Sequence, residues 1–116
     1  MNETVEILGK LMDATALRQK VLSNNLANAN TPGYIRKDVK FSAALAEALD
    51  GSVDDIRKVQ PEVISDTDAP VDSRGNSVSL QKEMGEIAQN ALLYDFAAEM
   101  TGQKFNLLRK AVSGTK

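Results

Sequence analysis

The chain has 116 residues, 42% of them hydrophobic and 26% charged, with a net charge of −2, which sets a ceiling of one foldable domain and excludes the disordered classes. Its Lys and Arg residues are spread along the sequence instead of lining one face, so there is no basic stripe for the backbone of a nucleic acid. Cys and His are both absent, which removes thiol and imidazole chemistry, disulfides and the ordinary zinc ligands together and leaves carboxylates, Lys, Ser or Tyr for any chemistry.

Aromatic residues are few (Tyr34, Phe41, Tyr94, Phe96, Phe105) and the apolar content is carried by Ala, Leu and Val, a composition that suits helix seams better than a thick core. No apolar run is longer than Ala43 to Ala46 or Ala91 to Tyr94, far short of the roughly 20 residues that a membrane-spanning helix needs. The opening residues from Met1 to Glu6 carry neither a basic nor an apolar leader segment, so no cleaved secretory signal is expected.

The first predicted element is a helix from about Glu3 to Ala29. Its stripe is Val5, Leu8, Met12, Thr15, Gln19, Leu22, Leu26 and Ala29, with two polar interruptions in the middle. The stop is strongly encoded: Pro32 drives Thr31 out of the helical region, and Pro32-Gly33 fits the centre of a type II turn leading to Tyr34. Just before the stop lie Ser23, Asn24, Asn25, Asn28 and Asn30, all poorer helix formers than Ala. Two readings stand side by side: a polar helix end with an Asn-rich cap, or amides that bond across subunits and fix register as a buried Asn does in a coiled coil.

The middle, from Ile35 to Ser79, holds one short amphipathic helix candidate, Phe41 to Leu49, followed by a polar tract punctuated by Pro61, Pro70 and Asp72-Ser73-Arg74-Gly75-Asn76, which reads as extended pieces and turns. Arg36, Lys37 and Lys40 form the densest basic group and read as a solvated face, or one turned to a neighbouring subunit or anionic headgroups. Asp66, Asp68 and Asp72 have part of a calcium-loop spacing, but Pro70 and Ser77 stand where further oxygen ligands belong; they read as acidic turn residues. Asp54, Asp55, Glu83 and Glu86 read as surface carboxylates.

The last element is a helix from Leu80 to about Ser113, capped by Ser79 without an acidic partner at Lys82. Leu80, Met84, Ile87, Ala91, Tyr94, Ala98, Thr101, Phe105, Leu108 and Val112 recur in alternating steps of four and three, the heptad seam of a helix that packs along its length. A second row, Leu93, Ala97, Met100, Leu107 and Ala111, widens the apolar face beyond what one partner helix would cover. Met12, Met84 and Met100 lie on or beside these seams, where an adaptable side chain suits unlike partners. Such a helix runs about 50 Å, whereas a compact chain of this length spans roughly 35 Å, so it is expected to need neighbours and the free subunit to be partly unfolded.

Ser23-Asn24-Asn25-Leu26-Ala27-Asn28-Ala29-Asn30-Thr31-Pro32-Gly33-Tyr34 resembles the helix-ending motif of the axial proteins of the bacterial flagellum, the rod and hook family. The segments Arg36 to Leu45, Gly75 to Met84, Asn90 to Tyr94 and Lys104 to Arg109 are similar to its short proximal-rod members; longer members insert a β-rich domain for which this chain has no room. The resemblance implies a mainly α fold, a single rod-type domain over 1–116 with an N-terminal helix at 1–30, a turn, short helix and irregular loop at 31–79, and a C-terminal helix at 80–113. It implies a structural subunit of the periplasmic rod, not an enzyme and without cofactor, metal or small-molecule substrate, exported by the flagellar type III system, whose partners are other rod proteins, the basal-body ring or export-gate adaptor, and further copies of itself in a helical assembly. The interface is then expected on Leu8, Met12, Leu22, Leu26, Leu80, Met84, Ile87, Ala91, Tyr94, Phe105 and Leu108, and at the turn on Asn24, Asn25, Asn28, Asn30, Thr31, Pro32, Gly33 and Tyr34. A soluble helical adaptor or secretion chaperone gripping one amphipathic partner is the alternative.

Overall fold

In the computed structural model, which describes residues 3–114, two long helices run side by side and a small mixed layer packs against the first of them. Helix α1 spans Glu3–Ala27; Met1 and Asn2, included in the expected N-terminal helix, lie outside the described residues. Glu3 and Glu6 sit in its first turn, where carboxylates favour the exposed N–H groups of a helix start. It ends two residues before the expected Ala29, in turns closed by Ala29 N–H on Leu26 O and Thr31 N–H on Asn28 O.

The middle is more ordered than its composition suggested. Strand β1 (Lys37–Lys40) pairs antiparallel with β2 (Glu62–Ser65), Lys37 opposite Ser65 and Lys40 opposite Glu62. Between them lie α2 (Ser42–Ala48), at the expected short helix, and α3 (Val53–Lys58). Helix α3 exists because Ser52 and Asp55 form a reciprocal capping box: Ser52 N–H donates to Asp55 Oδ2 at 2.8 Å and Asp55 N–H to Ser52 Oγ at 3.3 Å, relieving two orphan donors in one short helix. This layer buries Phe41 and Val59 against Ala14 of α1, with Val39, Leu45 and Ala48 around them. Arg57 on α3 reaches Glu6 on α1 at 3.0 Å.

Helix α4 spans Leu80–Ser113. Ser79 caps it, its hydroxyl accepting from Lys82 N–H at 3.4 Å, and Gly114 ends it in the left-handed region at φ 64°, where a Cβ is unfavourable. It runs antiparallel to α1: Asn25 meets Glu83, Thr15 meets Asn90, and Met12 meets Thr101. The two helices give an outline of 65 × 28 × 13 Å and a radius of gyration of 17.9 Å, against about 13 Å for a compact chain of this length. From Phe105 to Gly114 every residue is exposed.

Candidate assembly surface and the polar lock beside it

The face of α4 turned to α1 is the polar one. Glu83, Asn90 and Ala97, seven residues apart, are buried at 0, 2 and 0% exposure, and half-buried Lys104 continues the row. The apolar seam expected from the sequence lies on its flank and stays open: Leu80, Met84, Tyr94, Phe105, Leu108 and Val112 are exposed, as is Ala91, while Ile87, Ala98 and Thr101 are half-buried. In the second row Leu93 and Leu107 are exposed, Met100 is half-buried and Ala97 is enclosed. On α1, Leu8 and Leu22 are buried within the chain and Met12 and Leu26 half-buried. The seam is therefore divided: its α1 part closes the monomer and its α4 part is left over.

Between the helices, a groove of about 280 Å³ is lined by Thr15, Ala16, Gln19, Asn90, Ala91, Tyr94 and Asp95. At this groove Asn90 Nδ2 donates to Thr15 O at 2.7 Å and to Gln19 Oε1 at 2.9 Å, while its Oδ1 is enclosed with no hydrogen-bond partner among the described residues. An acceptor left this way costs free energy that a neighbouring donor recovers.

At the other end of the helix pair a polar lock fixes the turn after α1. Tyr34 N–H closes on Thr31 O at 3.2 Å and Gly33 has φ 76°, as the expected Pro-Gly turn requires. The loop before α4 grips this turn: Gly33 N–H donates to Arg74 O at 2.9 Å, and Asn76 Nδ2 donates to both Asn28 O and Thr31 O, at 3.0 and 2.8 Å. Asn25 is buried and spends every side-chain bond inside the chain. It donates to Lys37 O and Glu83 Oε1 and accepts from Lys37 N–H and the Tyr34 hydroxyl. That corrects the cross-subunit reading for Asn25; Asn24, Asn30, Thr31, Pro32 and Gly33 are exposed, and Asn28 and Tyr34 half-buried.

Arg36 is the hub, and it is no solvated charge. At 2% exposure its guanidinium forks onto Glu83, 2.7 Å to Oε2 and 3.1 Å to Oε1, and reaches Asp66 at 2.6 Å and Glu86 at 3.0 Å. Arg18 extends the network, bonding Asp38 at 2.8 Å and approaching Glu86 at 3.4 Å. The surface readings of Arg36 and Glu83 are thus overturned, while Glu86 and Asp66 stay half-exposed and are drawn into the network. The cause is topological: the β1–β2 pairing carries Arg36 and Asp66 to the same end, Asp66 N–H bonding Arg36 O at 2.9 Å, and α4 brings Glu83 over them. Bonding to Glu83 raises the Arg36 pKa, and the Arg36 hydrogen bond holds the Asp66 carboxyl below its ordinary value. Burial alone would push Asp38 up, but its bonds from Arg18 and Val39 N–H leave it lowered. Burial, then the nearby Glu83 charge, raises the Tyr34 hydroxyl. Asp72 is a turn residue as expected, lowered by the Asn76 backbone N–H and by Arg74.

The chemistry of this arrangement is adhesion: a polar clamp at one end, and an uncovered apolar seam that runs along α4 from Leu80 to the far tip. Residues 12–34, the second half of α1 and the turn, match the family described as "Flagella basal body rod protein". Over nearly the whole chain there is similarity to proteins named flagellar basal body rod protein FlgB. That of Bacillus subtilis (strain 168) is 32% identical, covering 97% of this chain and 95% of the relative. That of Aquifex aeolicus (strain VF5) is 30% identical over 95% and 93%, and that of Aeromonas hydrophila 33% over 84% and 83%.

Proposed function

The chain belongs to the FlgB family of flagellar basal body rod proteins, and from that premise we propose that it builds the rod by laying the open α4 seam against the helices of neighbouring axial subunits. It is a structural protein of the proximal rod, without catalytic activity, located in the flagellar basal body rod and assembled with other rod proteins. One observation supports the mechanism above all: the exposed apolar residues Leu80, Met84, Tyr94, Phe105 and Leu108 on one side of a helix that outruns its own partner. A monomer that buries Glu83 and Asn90 while leaving these outside has kept its adhesive face for association.

The remaining interface residues follow from the same reading. The turn from Asn28 to Tyr34 lies at the clamped end of the helix pair, and the exposed amides of Asn24 and Asn30 face neighbours there. The whole of 1–116 acts as one rod-type unit that is exported through the flagellar type III system and meets the basal-body ring or export-gate adaptor at the base of the rod. Images of flagellar bases from a strain lacking the gene test the reading: the membrane ring is expected to remain while the rod is missing. Intact rods in such cells would refute it.

A further inference from the structure

We propose that Thr101-Gly102 is a hinge that divides α4 into two units, a docked shaft from Leu80 to Met100 and a tip from Gln103 to Ser113 whose direction the free chain leaves unset. The inference goes beyond the reading above and takes from it only the purpose of the tip, which is to meet a neighbouring subunit.

Thr and Gly both stand low on the scale of helix propensity, and here they follow one another inside a helix of 34 residues. The Thr101 hydroxyl donates to Ala97 O at 2.8 Å, the same carbonyl that an α-helix assigns to the Thr101 N–H; back-bonding of this kind weakens and bends a helix. Packing on α1 ends at the same place. Ala97 is fully buried, Met100 and Thr101 are half-buried, and Thr101 Oγ1 lies 3.8 Å from Met12 Sδ. From Gly102 to Gly114 every residue except half-buried Lys104 is exposed. The first turns of α1 are packed instead by α3, whose Ile56 is enclosed and whose Arg57 reaches Glu6. Space within the chain does not require glycine at 102, because a Cβ there would meet no atom within 4 Å.

Gly85 shows the same residue type without a hinge. A Cβ would be equally free there, yet Glu83 and Glu86 on either side of it are both held by Arg36, and a bend between them would part those charges. No ion pair among the described residues crosses Gly102. A helix break with one side packed and the other side free is the usual anatomy of a hinge, in which a few residues at the end of a packed element absorb the change of direction.

The absence of native Cys makes the hinge directly readable with spin labels on the purified full-length chain. One pair of labels, at Lys20→Cys and Glu99→Cys, spans the docked shaft; a second, at Lys20→Cys and Lys110→Cys, crosses the hinge. The second distance distribution is expected to be about twice as broad as the first. Gly102→Ala combined with Thr101→Val, which keeps the shape of Thr101 and removes its back-bond, should narrow the second to the breadth of the first. Gly85→Ala should leave both unchanged. Equal breadth in the unaltered chain, whether narrow or broad, overturns the hinge, as does a second distribution that ignores the combined variant or narrows equally with Gly85→Ala. Each of these failures leaves the rod reading standing, since that is decided by the deletion strain; rods in that strain would remove the purpose of the tip and not the hinge.

Discussion

The two ends of α4 invert the usual arrangement of a globular protein. Near its start, charge is inside: Glu83 is enclosed at 0% exposure and shares Arg36 with Asp66 and Glu86. Near its end, apolar surface is outside: Leu107 is 62% and Val112 88% exposed. A buried ion pair is a poor source of net stability but fixes geometry, because alternative packings leave a charge unpaired. An uncovered apolar helix end gains nothing for the monomer and much for an assembly. The chain has therefore placed its specificity in the polar clamp around the turn and its adhesion in the open seam that runs from Leu80 to the far tip.

Breaking the clamp should have the largest effect on the fold. Arg36→Met leaves Glu83 enclosed without its cation, and the loss of about 3–5 kcal/mol should appear as fast amide exchange and lost helicity across the paired parts of α1 and α4. Gly33→Ala comes next. With φ at 76°, a Cβ there costs about 1–2 kcal/mol, and the expected result is faster exchange at Gly33 and Asn76 with the distal helix unaltered. Pro32→Ala combined with Gly33→Ala should let the helix run on and yield cells without rods.

Acid should loosen the clamp in a defined direction. Because Asp66 is lowered by Arg36, its stabilising contribution is complete above the unfolded carboxyl value of about 4; it is lost as pH falls through the depressed folded value. Asp66→Asn should remove that part of the acid sensitivity, measured by amide exchange at β1 and β2 across pH 2 to 6. Smallest for the monomer are changes at the tip: Leu107→Ser or Val112→Ser should alter its stability by no more than about 0.5 kcal/mol. A tip change that unfolded the monomer would erase the division between the two ends.

Periodicity made the helical frame legible, since a heptad pattern from Leu80 to Val112 and a Pro-Gly stop are local signals. The small sheet was not, because Lys37–Lys40 and Glu62–Ser65 are strands of four residues, whose apolar content is Val39 in one and Val63-Ile64 in the other, each with a partner more than twenty positions away. Helix α3 had a readable sign in Ser52 and Asp55, the spacing of a capping box, inside a tract otherwise read as loop. The interior ion pair escaped for a different reason. A charged residue is normally outside, and only the three-dimensional meeting of the strand after the turn with the first turn of α4 encloses Arg36 and Glu83 together. The heptad row of Glu83, Asn90, Ala97 and Lys104 was present in the sequence, but the more apolar row beside it drew the reading.

The central claim is that the open seam of α4 is the surface by which the rod is built. Electron microscopy of basal bodies from cells whose only copy carries Leu108→Asp tests it most directly, because Leu108 lies in the fully exposed segment of α4 and a carboxylate there should leave the clamp undisturbed. Membrane rings without rods are predicted, with the variant protein present at its normal level. Complete rods and normal swimming would contradict it.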